Sequence, residues 1–355
     1  MTSRRIPWIG LSFLMVNLVM AFAVTFLPYL SFEYGFSATN PSFKGALGSL
    51  FIHQNILHLL GNMLVLSTVG LAVELALGGW RFTLVYILGG LVGVLAHWLI
   101  FRGNPDTGLL FGASSCLAAC LGFAFIRFRT YQIPFLLKFS APVWMLLGLW
   151  ILLQIVGLFV QVGQPSTGGV AFAAHLGGLA VGLIASGIWR ADKQAELDDA
   201  YRLLGDAEDR SAGAKMTAAQ QVLKQKPGDA VATVRLAEAQ KQMGDNEAFY
   251  QTLQLLVDSK DKDSIEWAVT EMAANGQLKS LSSGKLMRIS QDLPAQLQSI
   301  VWQSVASRNG DTERPKAILE LVEAKASGNW ADILTKEFPM EPETEIARQK
   351  GLLNS

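Results

Sequence analysis

Ser114 and His175 have side chains that together could carry out nucleophilic chemistry, and both lie in strongly apolar segments. Ser114 belongs to the stretch FGASSCLAACLGF, residues 111–123, and His175 belongs to the stretch AHLGGLAVG, residues 174–182. A serine hydroxyl that loses its proton to a neighbouring imidazole can attack a carbonyl carbon, which begins acyl transfer. We therefore predict that Ser114 is a nucleophile and His175 its general base, if the fold brings the two segments together.

Two further polar residues could assist that reaction from another segment. His58 and Asn62 are four positions apart, so a helix places them on one face. An imidazole and an amide there could donate hydrogen bonds to an oxyanion as its charge develops. Each of these motifs alone is more often a packing feature, so the prediction depends on their occurring together.

These residues lie on apolar runs long enough to cross a membrane. A helix of about 20 apolar residues spans roughly 30 Å of hydrocarbon. Six such runs occur near residues 8–30, 50–73, 82–101, 109–127, 141–161 and 169–189. A cleaved signal peptide is the alternative for the first run, which follows MTSRR, but five more runs come after it.

The depth of Ser114 and His175 in their runs is similar. At 1.5 Å per residue, Ser114 lies roughly 7.5 Å into the fourth run and His175 roughly 9 Å into the sixth. Small residues such as Gly112, Gly178 and Gly182 would let the two helices approach closely.

The histidines and carboxylates limit the mechanism. No Asp or Glu occurs in the last three runs, so no acid can orient His175 as in a hydrolytic triad. His53 and His58 are five apart and lack the glutamate and the i, i+4 spacing of helical zinc motifs. The sequence therefore predicts a Ser–His dyad with no metal and no cofactor.

Basic residues in the short loops predict the orientation. One side of the membrane would carry eight of them and the other only Lys44 and Arg102. The eight are Arg4, Arg5, Arg81, Arg127, Arg129, Lys138, Arg190 and Lys193. Both termini are therefore expected in the cytoplasm. The six apolar runs predict a multi-pass protein, and we expect it in the cell (inner) membrane.

The residues after Arg190 have a different composition. The first 190 residues contain nine basic and three acidic residues, whereas the rest contain 20 and 26. The second part is polar, with apolar residues at helical spacing, and has no histidine or cysteine. Neither part has a basic stripe suited to nucleic acid.

An internal repeat occurs in this second part. The stretch MGDNEAFYQTLQLLV from Met243 recurs as NGDTERPKAILELV from Asn309. The offset between the two copies is 66 residues, and half of that offset is 33 residues. A period of 33 to 34 is typical of paired-helix solenoids. The part is similar to tetratricopeptide repeats, with an irregular helical bundle as the alternative. We predict an all-α chain with a polytopic membrane domain, residues 1–190, and a soluble helical repeat domain, residues 191–355.

The first part resembles a known family. FIHQNILHLLGNMLVLSTVGLAVELALGGWRFTLVYILGG, FGASS and GGVAFAAHLGGLAVG resemble the rhomboid family of intramembrane serine proteases. The resemblance implies a six-helix rhomboid-like bundle in which Ser114 is the nucleophile and His175 the base. It also implies that the backbone N–H of Ser114 and the side chains of His58 and Asn62 hold the oxyanion, with His53 and Gly112 in support.

The chain departs from that family at three places. Ser115 stands where the family usually has glycine, and Ala118 where it usually has an aromatic residue that supports the histidine. The Trp-Arg pair of many members is missing from residues 31–48.

The resemblance implies an endopeptidase that cuts transmembrane segments of other membrane proteins near the outer membrane face. The alternative is a proteolytically inactive relative that binds membrane clients and uses the helical tail as a scaffold. A transporter or channel is a third possibility, but the polar residues cluster in the outer third of the membrane and do not line a path. Expected partners are transmembrane substrates, membrane lipid and a protein bound by the tail.

Overall fold

In a computed structural model of the chain, two units are separately compact, Met1–Glu196 and Leu197–Ser355. The structure describes residues 6–53, 55–102, 104, 108–135, 139–163 and 171–353. Helices make up most of both units. The chain is an all-α polytopic membrane protein.

The first unit is built on helices with largely apolar surfaces. Its helices are α1 Trp8–Phe26, α2 Tyr29–Tyr34, α3 Phe43–Gly48, α4 Ile56–Val65, α5 Leu71–Leu77, α6 Gly79–Phe101, α7 Ser114–Arg127, α8 Val143–Gly163 and α9 Phe172–Ile188. A π-helical turn at Leu66–Gly70 joins α4 and α5 into one helix, Ile56–Leu77. A short 3₁₀ turn at Ser49–Phe51 precedes α4.

The described helices differ in whether they could cross a membrane. Four are long and apolar enough to do so, namely α1, Ile56–Leu77, α6 and α8. A fifth crossing is reached if α9 and α10, Ala191–Asp206, act as one bent span. Helix α7 has 14 residues, which is roughly 21 Å of the 30 Å needed. The number of six crossings therefore stays a prediction.

The helix predicted from the fourth apolar run begins five residues later than the run does, so its predicted start is wrong. Helix α7 begins at Ser114, whereas the apolar run begins at Leu109. Leu109–Leu110 instead forms β2, which pairs antiparallel with β1, Phe36–Ser37. Gly112 then has a φ of +110°, a left-handed conformation that ends the extended segment before the helix starts. A second hairpin pairs β3, Gln132–Phe135, with β4, Phe139–Pro142.

Helices α7 and α9 pack with their backbones in contact. A Cβ added to Gly178 would overlap the carbonyl oxygen of Ser115, and one added to Gly182 would overlap that of Ala119. Glycines four apart on a helix make such an approach possible between membrane helices. The two predicted small residues of the sixth run therefore lie where α9 crosses α7.

The N-terminal end of α1 is held by a residue from α5. The buried carboxylate of Glu74 accepts hydrogen bonds from the backbone N–H groups of Ile9, at 3.0 Å, and Gly10, at 2.6 Å. The first N–H groups of a helix have no partner within the helix, and a negative charge there is favourable. Glu74 thus fixes α1 against the end of the Ile56–Leu77 helix.

The second unit consists of short helices joined by tight turns. The helices that follow α9 are α10 Ala191–Asp206, α11 Ala212–Gln225, α12 Ala230–Met243, α13 Asn246–Val257, α14 Lys262–Ala274, α15 Ser283–Ser290, α16 Ala295–Ala306, α17 Arg314–Glu323, α18 Trp330–Glu337 and α19 Pro342–Gln349. The two copies of the sequence repeat share one feature, since Gly244 and Gly310 both have positive φ, of 77° and 78°. The similarity to tetratricopeptide repeats stays a prediction.

Candidate active site

Ser114 is the first residue of α7, and the segment before it is fixed on two sides. The β1–β2 pairing holds Leu109 and Leu110, and the backbone N–H of Gly112 donates to the Ser49 carbonyl at 2.8 Å. The first N–H groups of α7 have no acceptor within the helix. Ser114 lies at this end of α7. The partial positive charge of the N–H groups favours a negative charge there.

The two adjacent serines have different environments. Ser114 is half-buried, whereas Ser115 is 3% exposed. Ser115 packs against Gly93 of α6, where an added Cβ would lie 2.5 Å from the Ser115 Cβ. Gly93 therefore provides the space for the extra hydroxymethyl group that distinguishes this chain from the rhomboid pattern, and Ser114 is the more accessible serine of the pair.

His175 lies in the first turn of α9 and has a partner that the sequence prediction did not include. Its Nδ1 is 2.7 Å from Oε1 of Gln154 in α8. Since an amide oxygen only accepts, Nδ1 must carry the proton and donate it to Gln154. The other ring nitrogen, Nε2, then has a free lone pair, which is the state required of a general base.

His58, Asn62 and Gly112 form a second group next to Ser114. A Cβ added to Gly112 would lie 2.7 Å from Nε2 of His58 and 3.4 Å from Nδ2 of Asn62. Nδ2 of Asn62 also lies 2.8 Å from Nε2 of His53, and donates to it. The rings of His53 and His58 are 5.2 Å apart. The two side chains predicted to hold an oxyanion thus face the backbone two residues before Ser114, and His53 orients one of them.

Three elements converge at the N-terminus of α7. Helix α4 brings His58 and Asn62 to Gly112, and α9 brings Gly178, one turn after His175, against the backbone of Ser115. Among the described residues, however, no hydrogen bond joins Ser114 to His175. Catalytic hydrogen bonds are often long before substrate binds, so the arrangement is compatible with a nucleophile and base that meet in the reacting complex.

Sequence reasoning missed Gln154 and Trp150. The Trp150 and His175 ring centroids are 6.0 Å apart and their planes are inclined by 34°. Of these two residues, Gln154 could have been predicted from the sequence, because burying an amide within an apolar run costs free energy unless the amide is paired. Ala118, in contrast, is fully buried, and its Cβ lies 3.3 Å from where a Gly178 Cβ would be.

A known protein family matches the part of the chain that contains this arrangement. Residues 41–191 match the family described as Rhomboid domain. That range contains all the predicted site residues, from His53 to His175.

Three individual relatives match over stretches that are shorter than the family match. The chain is 38% identical over 76 residues to Rhomboid protease GluP of Bacillus subtilis, which is 21% of this chain and 14% of that protein. It is 28% identical over 134 residues to RHOMBOID-like protein 4 of Arabidopsis thaliana, 38% of this chain and 31% of the relative. It is 27% identical over 146 residues to human Rhomboid-related protein 3, 38% of this chain and 33% of the relative. The matches span a third or less of these relatives, and they support the rhomboid family for the first part of the chain.

Proposed function

We propose that residues 1–190 form an intramembrane serine endopeptidase that cleaves transmembrane segments of other membrane proteins near the outer membrane face. The observation that carries the proposal is the convergence at the start of α7. An accessible Ser114 lies two residues after Gly112, which faces His58 and Asn62, and α9 places His175 one turn from its contact with Ser115.

The proposed mechanism uses only side chains and backbone of this chain. The Ser114 hydroxyl attacks the scissile carbonyl carbon while Nε2 of His175 takes its proton. The oxyanion accepts hydrogen bonds from His58, Asn62 and the backbone N–H of Ser114. His175 then gives its proton to the leaving amine as the C–N bond breaks. In the second half of the reaction Nε2 of His175 takes a proton from a water molecule that attacks the acyl carbonyl carbon. His175 then returns this proton to the Ser114 oxygen as the ester bond breaks, which releases the acid product.

The substrate must unwind locally before it can react. In a transmembrane helix every backbone carbonyl is hydrogen-bonded within the helix, because lipid offers no alternative donor. A scissile carbonyl is therefore exposed only where the helix opens. We propose that substrates are transmembrane segments that open easily near the outer face, where water can reach Ser114.

The remaining predictions belong to the same proposal. Both termini face the cytoplasm in the inner membrane, as the distribution of basic residues indicates. Residues 191–355 form a cytoplasmic, tetratricopeptide-like repeat domain that binds a partner protein. Lipid surrounds the apolar side chains that α8 exposes, such as Leu149, Leu152 and Leu153.

A fluorophosphonate probe tests the proposal directly. We expect the purified protein in detergent to be labelled on the peptide that contains Ser114, and Ser114→Ala to remain unlabelled with the same melting temperature. In cells, wild-type protein should release ectodomains of membrane proteins that Ser114→Ala leaves intact. Labelling that persists in Ser114→Ala would contradict the assignment of the nucleophile.

A second candidate is a proteolytically inactive rhomboid-like protein that binds membrane clients. It is favoured by one observation, namely that no hydrogen bond joins Ser114 to His175 among the described residues. An inactive protein would retain clients by co-purification and would not react with the probe. A wild-type protein that binds membrane clients without labelling would therefore support this second candidate.

A further inference from the structure

Gln154 is a buried polar residue on a helix whose residues are mostly apolar and whose side chains are in large part exposed. Helix α8 exposes more than half of the side-chain surface of Leu149, Leu152 and Leu153, whereas Gln154 is 6% exposed. A buried amide without partners costs free energy. In Gln154 that cost is offset by the hydrogen bond from His175 Nδ1, at 2.7 Å. The contact between α8 and α9 is therefore polar at one point, and that point is the predicted general base.

Trp150 contacts the same imidazole from one turn earlier on α8. Residues four apart lie on one face of a helix, so Trp150 and Gln154 reach His175 together. The indole ring is 6.0 Å from the imidazole centroid, within the range of aromatic pairs. Gln154 thus holds an edge of the ring through Nδ1, and Trp150 lies against it. Two contacts of different kinds fix the orientation of one side chain.

We propose that Gln154 is a positioning residue for His175, with Trp150 as its aromatic support. The proposal rests on the proposed function, because it gives these residues a role in the Ser–His reaction. Gln154 fixes the tautomer that leaves Nε2 able to accept the Ser114 proton. An acidic residue has this task in a hydrolytic triad, but Gln154 is neutral, so it orients the imidazole without adding negative charge.

The two roles of a triad acid are separated in this arrangement. An acid both orients the histidine and stabilises the positive charge that the ring gains in the transition state. Gln154 supplies orientation only, and the charge on the ring is balanced by the oxyanion that forms at the same time. In a low-dielectric site a permanent carboxylate would itself need a partner, and no acidic residue occurs in the last three apolar runs.

The test compares three variants of the full-length protein in detergent. Gln154→Leu removes the acceptor with little change in volume, and Gln154→Glu keeps an acceptor oxygen at the same distance from the backbone. Gln161→Leu is the matched control, because it makes the same change seven residues later on the same helix. The measurements are the rate of fluorophosphonate labelling of Ser114, kcat and KM on a transmembrane model substrate, and the melting temperature.

The expected result is specific to the reaction. Gln154→Leu should lower the labelling rate and kcat about tenfold or more, as expected for a buried N–H left without an acceptor. KM should stay within about twofold, since substrate contacts are unchanged. Gln154→Glu should recover most of the lost rate, and Gln161→Leu should label at the wild-type rate. In a fourth variant, Trp150→Leu, kcat should fall less than it does in Gln154→Leu.

Three outcomes would overturn the inference. An unchanged labelling rate in Gln154→Leu would remove Gln154 from the mechanism while leaving the proposed function intact. Equal losses of rate and of melting temperature in Gln154→Leu and Gln161→Leu would show that the amides only stabilise α8. A wild-type protein that the probe does not label would overturn both the proposed function and this inference.

The ring nitrogens give a readout that does not depend on turnover. In protein with ¹⁵N-labelled histidine, the signals of His175 can be assigned by their loss in His175→Ala. Wild-type protein should show a protonated Nδ1 and an unprotonated Nε2. Gln154→Leu should show a mixture of the two tautomers, and an unchanged spectrum would contradict the positioning role.

Discussion

The serine pair at the start of α7 gives the sharpest prediction at the scale of single residues. Ser115 is buried against Gly93, and Ser114 is the accessible residue. We expect Ser114→Ala and His175→Ala each to abolish cleavage of a model substrate without loss of expression. Ser115→Ala should keep activity, because Ser115 is buried against Gly93 of α6. Cleavage by Ser114→Ala, combined with its loss in Ser115→Ala, would mean that the other serine is the nucleophile.

The oxyanion donors should affect the rate more than binding. His58 and Asn62 face the backbone of Gly112, two residues before Ser114. Loss of one donor to a developing oxyanion typically costs about 10²- to 10³-fold in kcat. We expect His58→Ala and Asn62→Ala to lower kcat by amounts of that order with little change in KM. Steady-state kinetics on a model substrate measure this, and an unchanged kcat in the double variant would exclude α4 from the mechanism.

His53 should have a smaller effect of the same kind. Its Nε2 accepts a hydrogen bond from Asn62 at 2.8 Å, so under the proposed function it would act on the oxyanion through that amide. We expect His53→Ala to lower kcat about tenfold, since a neutral hydrogen bond contributes about 1 kcal/mol. In an Asn62→Ala background the same change should have no further effect. Additive losses in the double variant would show that His53 acts by a separate route.

Residue type and spacing are informative about some members of the site and not about others. Ser114, His175, His58 and Asn62 are polar residues in apolar runs, and such residues are costly enough to predict a role. Trp150 carries no such signal, because tryptophan is common in membrane segments. Gln154 is not among the predicted site residues, because the predicted dyad depends on the absence of carboxylates, whereas an amide oxygen can also accept a hydrogen bond from Nδ1.

At the scale of helices, Gly93 of α6 lies against both α7 and α9, the helices that carry the proposed dyad. A Cβ at this position would lie 2.5 Å from the Ser115 Cβ and 2.5 Å from the carbonyl oxygen of Ala174. We expect Gly93→Ala to destabilise the protein by about 1–3 kcal/mol, as overpacking does, and to lower activity. Thermal unfolding in detergent measures the first effect and labelling of Ser114 the second.

A second substitution separates the two clashes. Ser115→Gly in the Gly93→Ala background removes the contact with residue 115 and leaves the one with Ala174, so recovery should be partial. Gly187→Ala is the matched control, because an added Cβ there meets nothing within 4 Å. Its melting temperature should be unchanged or slightly higher. Wild-type behaviour of Gly93→Ala would show that α6 can move away at little cost.

Hydropathy predicts the apolar runs but not where their helices begin. The fourth run is apolar from Leu109, yet residues 109–110 pair with Phe36–Ser37 as strands and the helix starts at Ser114. Strand pairing with a segment more than 70 residues earlier leaves no periodic signal in so short a stretch. Gly112 likewise has a positive φ and faces His58 and Asn62 of α4, which lie more than 45 residues earlier in the chain. The helix start is therefore fixed by tertiary contacts.

At the scale of the whole molecule, removal of the tail should leave the chemistry intact. The first compact unit ends at Glu196, which lies within α10, so we place the truncation after this residue. If the orientation is as proposed, roughly 30 Å of hydrocarbon separates the tail from the site. We expect the truncated protein to cleave a permissive model substrate at the wild-type rate and to cleave its natural substrates with altered efficiency.

The comparison needs both kinds of substrate. Equal losses on both, together with a lower melting temperature, would mean that the tail only stabilises the membrane unit. Unchanged rates on both would contradict a role in recruiting substrates or partners. Helical repeats form extended surfaces that suit such a role.

The change in composition near residue 190 predicts two parts because each part must match a different solvent. Charged residues are scarce before that point and common after it. The sequence repeat is harder to interpret, because only a few of its positions are apolar in both copies. The helical character of the tail was predictable from spacing, whereas the pairing of its helices depends on contacts that no short pattern records.

The contact between Glu74 and the start of α1 has a consequence for biosynthesis. The carboxylate that completes the first turn of α1 lies 65 residues further along the chain than Ile9. A ribosome that has just delivered α1 to the membrane has therefore not yet made the residue that caps it. The N-terminal end of α1 therefore reaches its final state only after the Ile56–Leu77 helix has been synthesised and inserted. The final hydrogen bonds at the start of α1 thus form only when both helices are present.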